Sequence, residues 1–431
     1  MSRRDREVNI IEFMKLFYFA NSRIPTEKAH GIQIMNMCEA FALQMRGMTR
    51  NTTRTNAEEN YVELVLPIRK NPYLKNIDPF EYYGVEKIFS LKKIFCPDPN
   101  FLMHLPDGIY IKVQSFLFII SLYFYCRGIM QMKTRLSAGE AGNDADIFYT
   151  RDEYLLPILQ KFSNRVIWEA HTLPKNTKHY LKYWQRCHKI IAITQGIKNE
   201  FIKLGLDGDK ILVAPDGVKF SSSFSVIPAK AGIPALREKL NLPLDKKIVM
   251  YTGHLYFWKG VDTLLELAKT YSQKLNHQSP TTNHQLLFVF LGGTEFDIKN
   301  FKQKANGLNN VLILGHKPPK EIPKYLQAAD VLVLPNSKND EKANWTSPLK
   351  MFEYMASGVP IVASDLPVIR EILNENNAVF VEPDNAESLM QGIKKVLTNK
   401  ELADKLKTQA YQDVQNYTWQ KRAEKILKFI K

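Results

Sequence analysis

A chain of 431 residues is longer than one ordinary hydrophobic core organises, so two domains are expected. Hydrophobic residues at 45% and charged residues at 24% are the balance of a soluble globular protein. The net charge of +15 calls for an anionic partner: nucleic acid, an acidic membrane face or phosphorylated small molecules. Cys38, Cys96, Cys126 and Cys187 are scattered without a C-x-x-C pair, which excludes a zinc knuckle and a disulfide framework and suits a reducing cytoplasm.

The opening stretch, MSRRDREVNIIEF, is basic but broken by Asp5, Glu7 and Glu12, and no clean apolar core follows, so no secretory signal is expected. A first strand is predicted over KLFYFAN, Lys15 to Asn21. A polar loop follows, and then a helix after Gly31 with Ile34, Met37, Cys38, Phe41 and Ala42 on one side. The apolar run VQSFLFIISLYFYC, Val113 to Cys126, is too short to span a bilayer comfortably and reads as a buried helix. Its alternative is a helix lying on a membrane surface, flanked by Lys112, Arg127, Lys133 and Arg135. A polar loop over Arg135 to Asp146 precedes strands at DIFYTR, NRVIWEAH and KIIAITQ. It contains the pair Asp144 and Asp146, a spacing common by chance and read as solvated loop, so no metal site is expected.

Near Gly217 the composition becomes rich in Ser, Pro and Gly, with a helix beginning near Ala235. A second alternating series then runs through KIVMYTG, QLLFVFLGG, NVLILG, DVLVLPN and VPIVASD as strands, with helices between them. The expected fold is α/β, two Rossmann-like domains in tandem around a cleft, with ligands at the carboxyl ends of strands. The domains divide as 1–224 plus a C-terminal helix over 416–431, an inserted linker over 225–235, and 236–415. The last segment, rich in apolar Tyr417, Trp419, Ile426, Leu427 and Ile430, docks on the first domain or forms a cationic tail with Lys421, Arg422, Lys425, Lys428 and Lys431.

Two loops carry chemistry. In SPLKMFEYMASG, Ser347 suits an N-cap, Pro348 the first helical position and Gly358 the stop, which leaves the N–H groups of Leu349, Lys350 and Met351 free. A lysine in a first helical turn opposes the helix dipole by some tenths of a kcal/mol, a cost that a bound phosphate would reverse. A plain Lys350–Glu353 surface pair explains it about as well. In YTGHLYFWKGVDTLL, Gly253, His254 and Lys259 surround a turn between a strand and a helix, a setting that suits phosphate oxygens.

Together the two loops resemble those of glycosyltransferase family 4, the group 1 glycosyltransferases of the two-domain B-type fold, most clearly over residues 247–397. The resemblance implies that His254 and Lys259 hold the diphosphate of a nucleotide-sugar donor, with a protonated histidine where many members have arginine. It implies that Glu353 accepts hydrogen bonds from the ribose. The earlier glutamate of the family's pair is Trp345 here, a departure at the donor-sugar contact. Gly315, His316 and Lys317 fall in the family's nucleobase loop, Gly31 at its phosphate-approach glycine, and His171 at the histidine that faces the transferred sugar. Arg151 is a weaker acceptor-side candidate, and the amides from Ser347 through Lys350 would cradle the sugar–phosphate end.

The implied activity is a retaining hexosyltransferase with His171, Lys259 and Lys350 as catalytic groups, and with no cofactor beyond its nucleotide-sugar substrate. The acceptor would be a saccharide or lipid-linked precursor of envelope polysaccharide or glycolipid, used in the cytoplasm at the inner face of the cell membrane. A non-catalytic nucleotide-sugar binder and a sugar-nucleotide epimerase are the alternatives. The basic residues are dispersed without an aromatic stripe, so nucleic acid is not expected as a partner.

Overall fold

The computed structural model describes residues 14–49, 61–69, 71, 74–99, 108–136, 146–174, 176–220, 232–276 and 285–431. Asp144 and most of the segment from Ser225 to Pro234 lie outside the described residues.

Two parallel sheets organise the molecule. The first contains β1 (Lys15–Phe19), β2 (Tyr61–Pro67), β3 (Ser90–Ile94), β4 (Ile147–Thr150), β5 (Val166–Ala170), β6 (Lys189–Ala192) and β7 (Ile211–Val213), in the order β3-β2-β1-β4-β5-β6-β7. The second contains β8 (Lys247–Thr252), β9 (Leu286–Leu291), β10 (Val311–Gly315), β11 (Val331–Leu334), β12 (Ile361–Ser364) and β13 (Val379–Val381), in the order β10-β9-β8-β11-β12-β13. The direction of winding reverses between β1 and β4 and again between β8 and β11, and a crevice opens at the carboxyl ends of strands at such a reversal.

The strands are apolar on both faces because helices cover both. Leu16 and Tyr18 of β1 enter one core, and Phe17 and Phe19 enter the core on the opposite side. In β8 the same alternation sends Ile248 and Met250 to one side and Val249 and Tyr251 to the other.

The chain crosses between the domains twice, and the two crossings touch. Val218 donates its N–H to the Tyr417 carbonyl at 2.9 Å and bridges to Thr418. A methyl group at Gly217 would lie 2.8 Å from the Tyr417 carbonyl oxygen, so the two segments approach as closely as a glycine permits. Thr418 then caps a final helix, Trp419–Ile430, by accepting from the Lys421 N–H at 3.1 Å. Trp419, Ala423, Ile426, Leu427 and Ile430 recur at helical spacing and are buried in the same core as Leu16, Tyr18 and Phe41 of the first domain. Arg422 is buried with them, 5% exposed, and does not belong to a cationic solvent face.

Three local expectations are corrected. The first helix begins at Ala29, not after Gly31. The helix Ile233–Lys239 starts inside the segment assigned to the linker, because Pro234 fits an opening helical turn where no N–H bond is needed. The apolar run lies in a helix of 28 residues, Ile109–Leu136, that is buried along one side only.

Replacing Trp419 by alanine should destabilise the protein by about 3–5 kcal/mol, read from urea unfolding, because the ring fills a closed core.

Candidate active site

The wall supplied by the second domain grows from the ends of β8 and β9. Beyond Thr252 the chain turns through Gly253 and His254 into a short turn, Phe257–Lys259. Gly260 closes that turn at φ 73°, and a side chain there would strike the Pro335 carbonyl oxygen at 1.6 Å, so only glycine holds Lys259 in this place.

Across β8 lies the helix Leu349–Ala356. Lys350 and Tyr354, one turn apart, both reach Thr252: the Lys350 Nζ donates to the Thr252 carbonyl at 2.9 Å, and the Thr252 N–H donates to the Tyr354 hydroxyl at 2.8 Å. The Lys350 ammonium also lies over the Tyr251 ring, 3.6 Å from its centroid. Burial pushes the Lys350 pKa well below its ordinary value, Lys259 pushes the same way, and Glu353 opposes them. Burial raises Glu353 to about 7, with Lys350 pulling it down. His254 stacks on Tyr256 and holds its Nδ1 3.7 Å from the Asp297 carboxylate; burial lowers its pKa and Asp297 works against that.

The helix start differs from the sequence expectation. Pro348 occupies the N-cap position, and the Ser347 hydroxyl accepts instead from the Asp216 N–H at 3.3 Å, next to the interdomain crossing. The Met351 N–H is engaged by the Pro348 carbonyl at 2.9 Å and is not free for an anion. Proline fits here because its fixed φ matches the −73° that the cap adopts.

Gly253, His254, Lys259, His316, Lys317, Pro348, Leu349, Lys350 and Glu353 line one cleft, faced from the first domain by Thr26, Glu27, Ala29 and Ile32. Gly315 stands behind it, its carbonyl accepting from the Gly292 N–H at 2.8 Å. The cleft is bridged at its mouth, where the Tyr82 hydroxyl meets His316 Nε2 at 2.9 Å and Lys320 lies 3.5 Å from Glu81. Gly31 does not line the cleft. A side chain there would overlap the Tyr83 hydroxyl at 2.2 Å, so its glycine is required by Tyr83, which is doubly bonded to the Thr26 backbone. Trp345 packs against the apolar core of the first domain near Gly196, and beside it Glu371 accepts from the N–H groups of Gln195 at 2.7 Å and Gly196 at 3.1 Å.

His171 belongs to an inner cluster of the first domain. Its Nε2 donates to Glu169 Oε1 at 2.7 Å. Glu169, with no exposed surface, also accepts from Gln33 at 2.5 Å, from Tyr149, and from the Nη1 of Arg422 of the last helix at 3.3 Å. Arg151 donates to Gln33 Oε1 at 2.9 Å and completes the group. Burial alone would raise the Glu169 carboxyl, but Arg422, His171 and Tyr149 hold it well below the usual carboxylate range. Burial and Arg151 lower His171 to about 4, so the ring is neutral at pH 7 with Nδ1 as its open acceptor. His30, in the first turn of the helix Ala29–Thr49, is lowered to about 3 by burial and by the charges of Arg151, Lys28, His171 and His254.

His30, Gln33, Glu169 and Arg422 were not found from the sequence. Only Glu169 carries a signal there: an acid inside the apolar strand VIWEA needs buried partners.

The two sheets, their crevice and the cation-lined strand ends define a two-domain B-type glycosyltransferase fold. Residues 232–413 match the family described as glycosyl transferases group 1, and the second domain is a domain of that group. Among curated proteins, the chain is 22% identical over 255 residues to an uncharacterized glycosyltransferase of Methanocaldococcus jannaschii, covering 58% of this chain and 62% of that one. It is 26% identical over 230 residues to a putative teichuronic acid biosynthesis glycosyltransferase of Bacillus subtilis, covering 52% of each. It is 23% identical over 232 residues to the amylovoran biosynthesis glycosyltransferase AmsK of Erwinia amylovora, covering 54% and 53%. The chain thus spans about half the length of the curated relatives it matches. Among solved structures, Anabaena HepE in complex with UDP-glucose superimposes with a TM-score of 0.66 at 14% identity, over 96% of this chain and 98% of that one. WaaG, a glycosyltransferase involved in lipopolysaccharide biosynthesis, superimposes with a TM-score of 0.62 at 14% identity, over 96% and 99%.

Two outcomes are expected from the inner cluster. Glu169→Ala leaves the Arg422 charge buried without its partner and should cost about 3–5 kcal/mol, against a smaller loss for Glu169→Gln, measured by urea unfolding. The second concerns pH. The folded pKa of His171 lies below its unfolded value, so the unfolded chain takes up the proton first and stability falls as pH drops from about 6.5 toward 4. Between pH 7.5 and pH 5 this contribution is about 2 kcal/mol. Denaturation of His171→Asn at both pH values should show a pH-dependent loss smaller by that amount.

Proposed function

We propose that this chain is a retaining glycosyltransferase that moves a hexose from a nucleotide-sugar donor to a saccharide or lipid-linked acceptor. The observation that carries this reading is the convergence of His254, Lys259 and Lys350 with Glu353 in one cleft at the carboxyl end of β8. Charge develops on the leaving diphosphate in the transition state, and Lys259, joined by Lys350 once it is protonated, stabilises it from a half-buried cleft. In the cleft without an anion, burial and Lys259 disfavour a charge on Lys350, whose Nζ donates to the Thr252 carbonyl and lies over the Tyr251 ring. A diphosphate favours its ammonium form, so donor binding draws a proton toward Lys350. Glu353 accepts from the ribose hydroxyls, and His316 and Lys317 border the base. With retention, the acceptor hydroxyl attacks from the face the diphosphate leaves, and the departing phosphate takes its proton.

His171 stands on the acceptor side. Its Nε2–H is held by Glu169, so the neutral ring offers Nδ1 to a sugar hydroxyl. An envelope polysaccharide or glycolipid precursor is the proposed acceptor, in keeping with relatives named for amylovoran and teichuronic acid biosynthesis. Work at the cytoplasmic face of the membrane suits that acceptor.

Purified protein should release a nucleoside diphosphate from one of a panel of nucleotide sugars when membrane lipid extract or oligosaccharide acceptors are added. Lys259→Ala and Lys350→Ala should each lower turnover by about 10²-fold or more. A Lys350→Arg variant of unchanged melting temperature separates loss of charge from loss of folding. Tight donor binding without release on any acceptor would favour a non-catalytic binder, a reading motivated by Trp345 lying against the first domain.

A further inference from the structure

The helix Ile109–Leu136 is apolar nearly all round, but among the described residues only one side of it is packed into the fold. Phe118, Leu122, Cys126 and Ile129 recur at helical spacing and are buried beside Phe17, Phe19 and Phe148. On the opposite side Phe116 is 61%, Ile120 40% and Phe124 64% exposed, with Ile109 and Met132 exposed toward the ends. Single exposed apolar side chains need no explanation, whereas a continuous stripe of three at four-residue spacing does.

Charge accompanies the stripe. Lys112 and Arg127, both exposed, bracket the three apolar residues along the same side. The helix carries four basic residues and no aspartate or glutamate. Beside it, the sheet-edge strand β3 exposes Lys92 and Lys93, and Phe95 just beyond is 78% exposed. That end of β3 is tied to the helix start, where Tyr110 and Gln114 donate to Asp98 at 2.8 Å and 3.1 Å.

We infer that this stripe is a docking surface for an anionic lipid bilayer, with Phe116, Ile120 and Phe124 entering the headgroup boundary and Lys112 and Arg127 meeting lipid phosphates. Spanning the bilayer is not the solution the fold supports. A stretch of 24 residues, Ile109–Met132, is long enough, but crossing would tear Phe118, Leu122 and Cys126 from their core. A helix that lies in the interface keeps that packing and still buries its outer apolar face.

Co-sedimentation with vesicles tests this apart from sugar transfer, so its failure leaves the proposed activity standing. The full chain should bind phosphatidylglycerol-containing vesicles at low salt, and about tenfold or more weakly to vesicles of phosphatidylcholine alone. The combined variant Phe116→Ser, Ile120→Ser, Phe124→Ser and the variant Lys112→Glu, Arg127→Glu should each lose about tenfold or more in binding. Both should keep the parental melting temperature, and diphosphate release to a soluble acceptor, because these residues lie outside the cleft. Absence of vesicle binding by the unaltered chain, or equal binding by the apolar variant, overturns the inference. A concentration-dependent dimer that the apolar variant abolishes gives the surface to a second copy and overturns it as well.

Discussion

The buried carboxylate of Glu169 is the constraint on which the first domain depends. A charge taken wholly out of water must be matched by donors, and Gln33, Tyr149, His171 and Arg422 supply them from separate segments. Arg422 lies 253 residues from Glu169 in sequence, so the match is possible only if the chain returns from the second domain and lays its final helix on the first. That return sets the two crossings side by side at Val218 and Thr418 and fixes where the walls of the cleft meet. The same carboxylate holds His171 by Nε2 and decides which nitrogen it can offer a ligand.

The second wall solves a different electrostatic problem. A lysine in a first helical turn opposes the helix dipole, and here the opposition is offset by a strand end. The Thr252 carbonyl and the Tyr251 ring face the Lys350 ammonium from β8. One side chain therefore joins helix to sheet and holds a protonatable nitrogen at the cleft, so stability and anion recognition depend on the same atom.

The second domain was largely legible in the sequence because its strands are short apolar runs punctuated by glycine. The strands left unrecognised lack that signature. β3 is a lysine-bearing edge, β7 and β13 are three residues each, and β2 holds Glu63, which is legible only beside the hydroxyls of Tyr61 and Tyr125. Of the donor-side cleft, strand ends and helix starts suggested Gly253, His254, Lys259 and Lys350, whereas Glu353, His316 and Lys317 came from the family resemblance. The inner cluster was not, since a helical periodicity assigns Arg422 to water and cannot register a partner in another segment. Gly31 was placed at the ligand by resemblance and Ser347 by capping pattern, yet Tyr83 accounts for the first and the Asp216 backbone for the second. The helix Ile109–Leu136 is apolar nearly all round, so periodicity could not tell its core face from its outer one.

The return of the final helix also orders events during synthesis. The second domain is built from one continuous stretch and can close as soon as that stretch has emerged from the ribosome. The first cannot, because Trp419 and Arg422 belong to its core and are translated long after its own strands. Until then Glu169 has no arginine and the groove for the last helix stands open. The amino-terminal domain therefore cannot be finished in the order in which it is translated, against the usual direction of vectorial folding. During that interval its apolar groove is the surface a chaperone would be expected to protect.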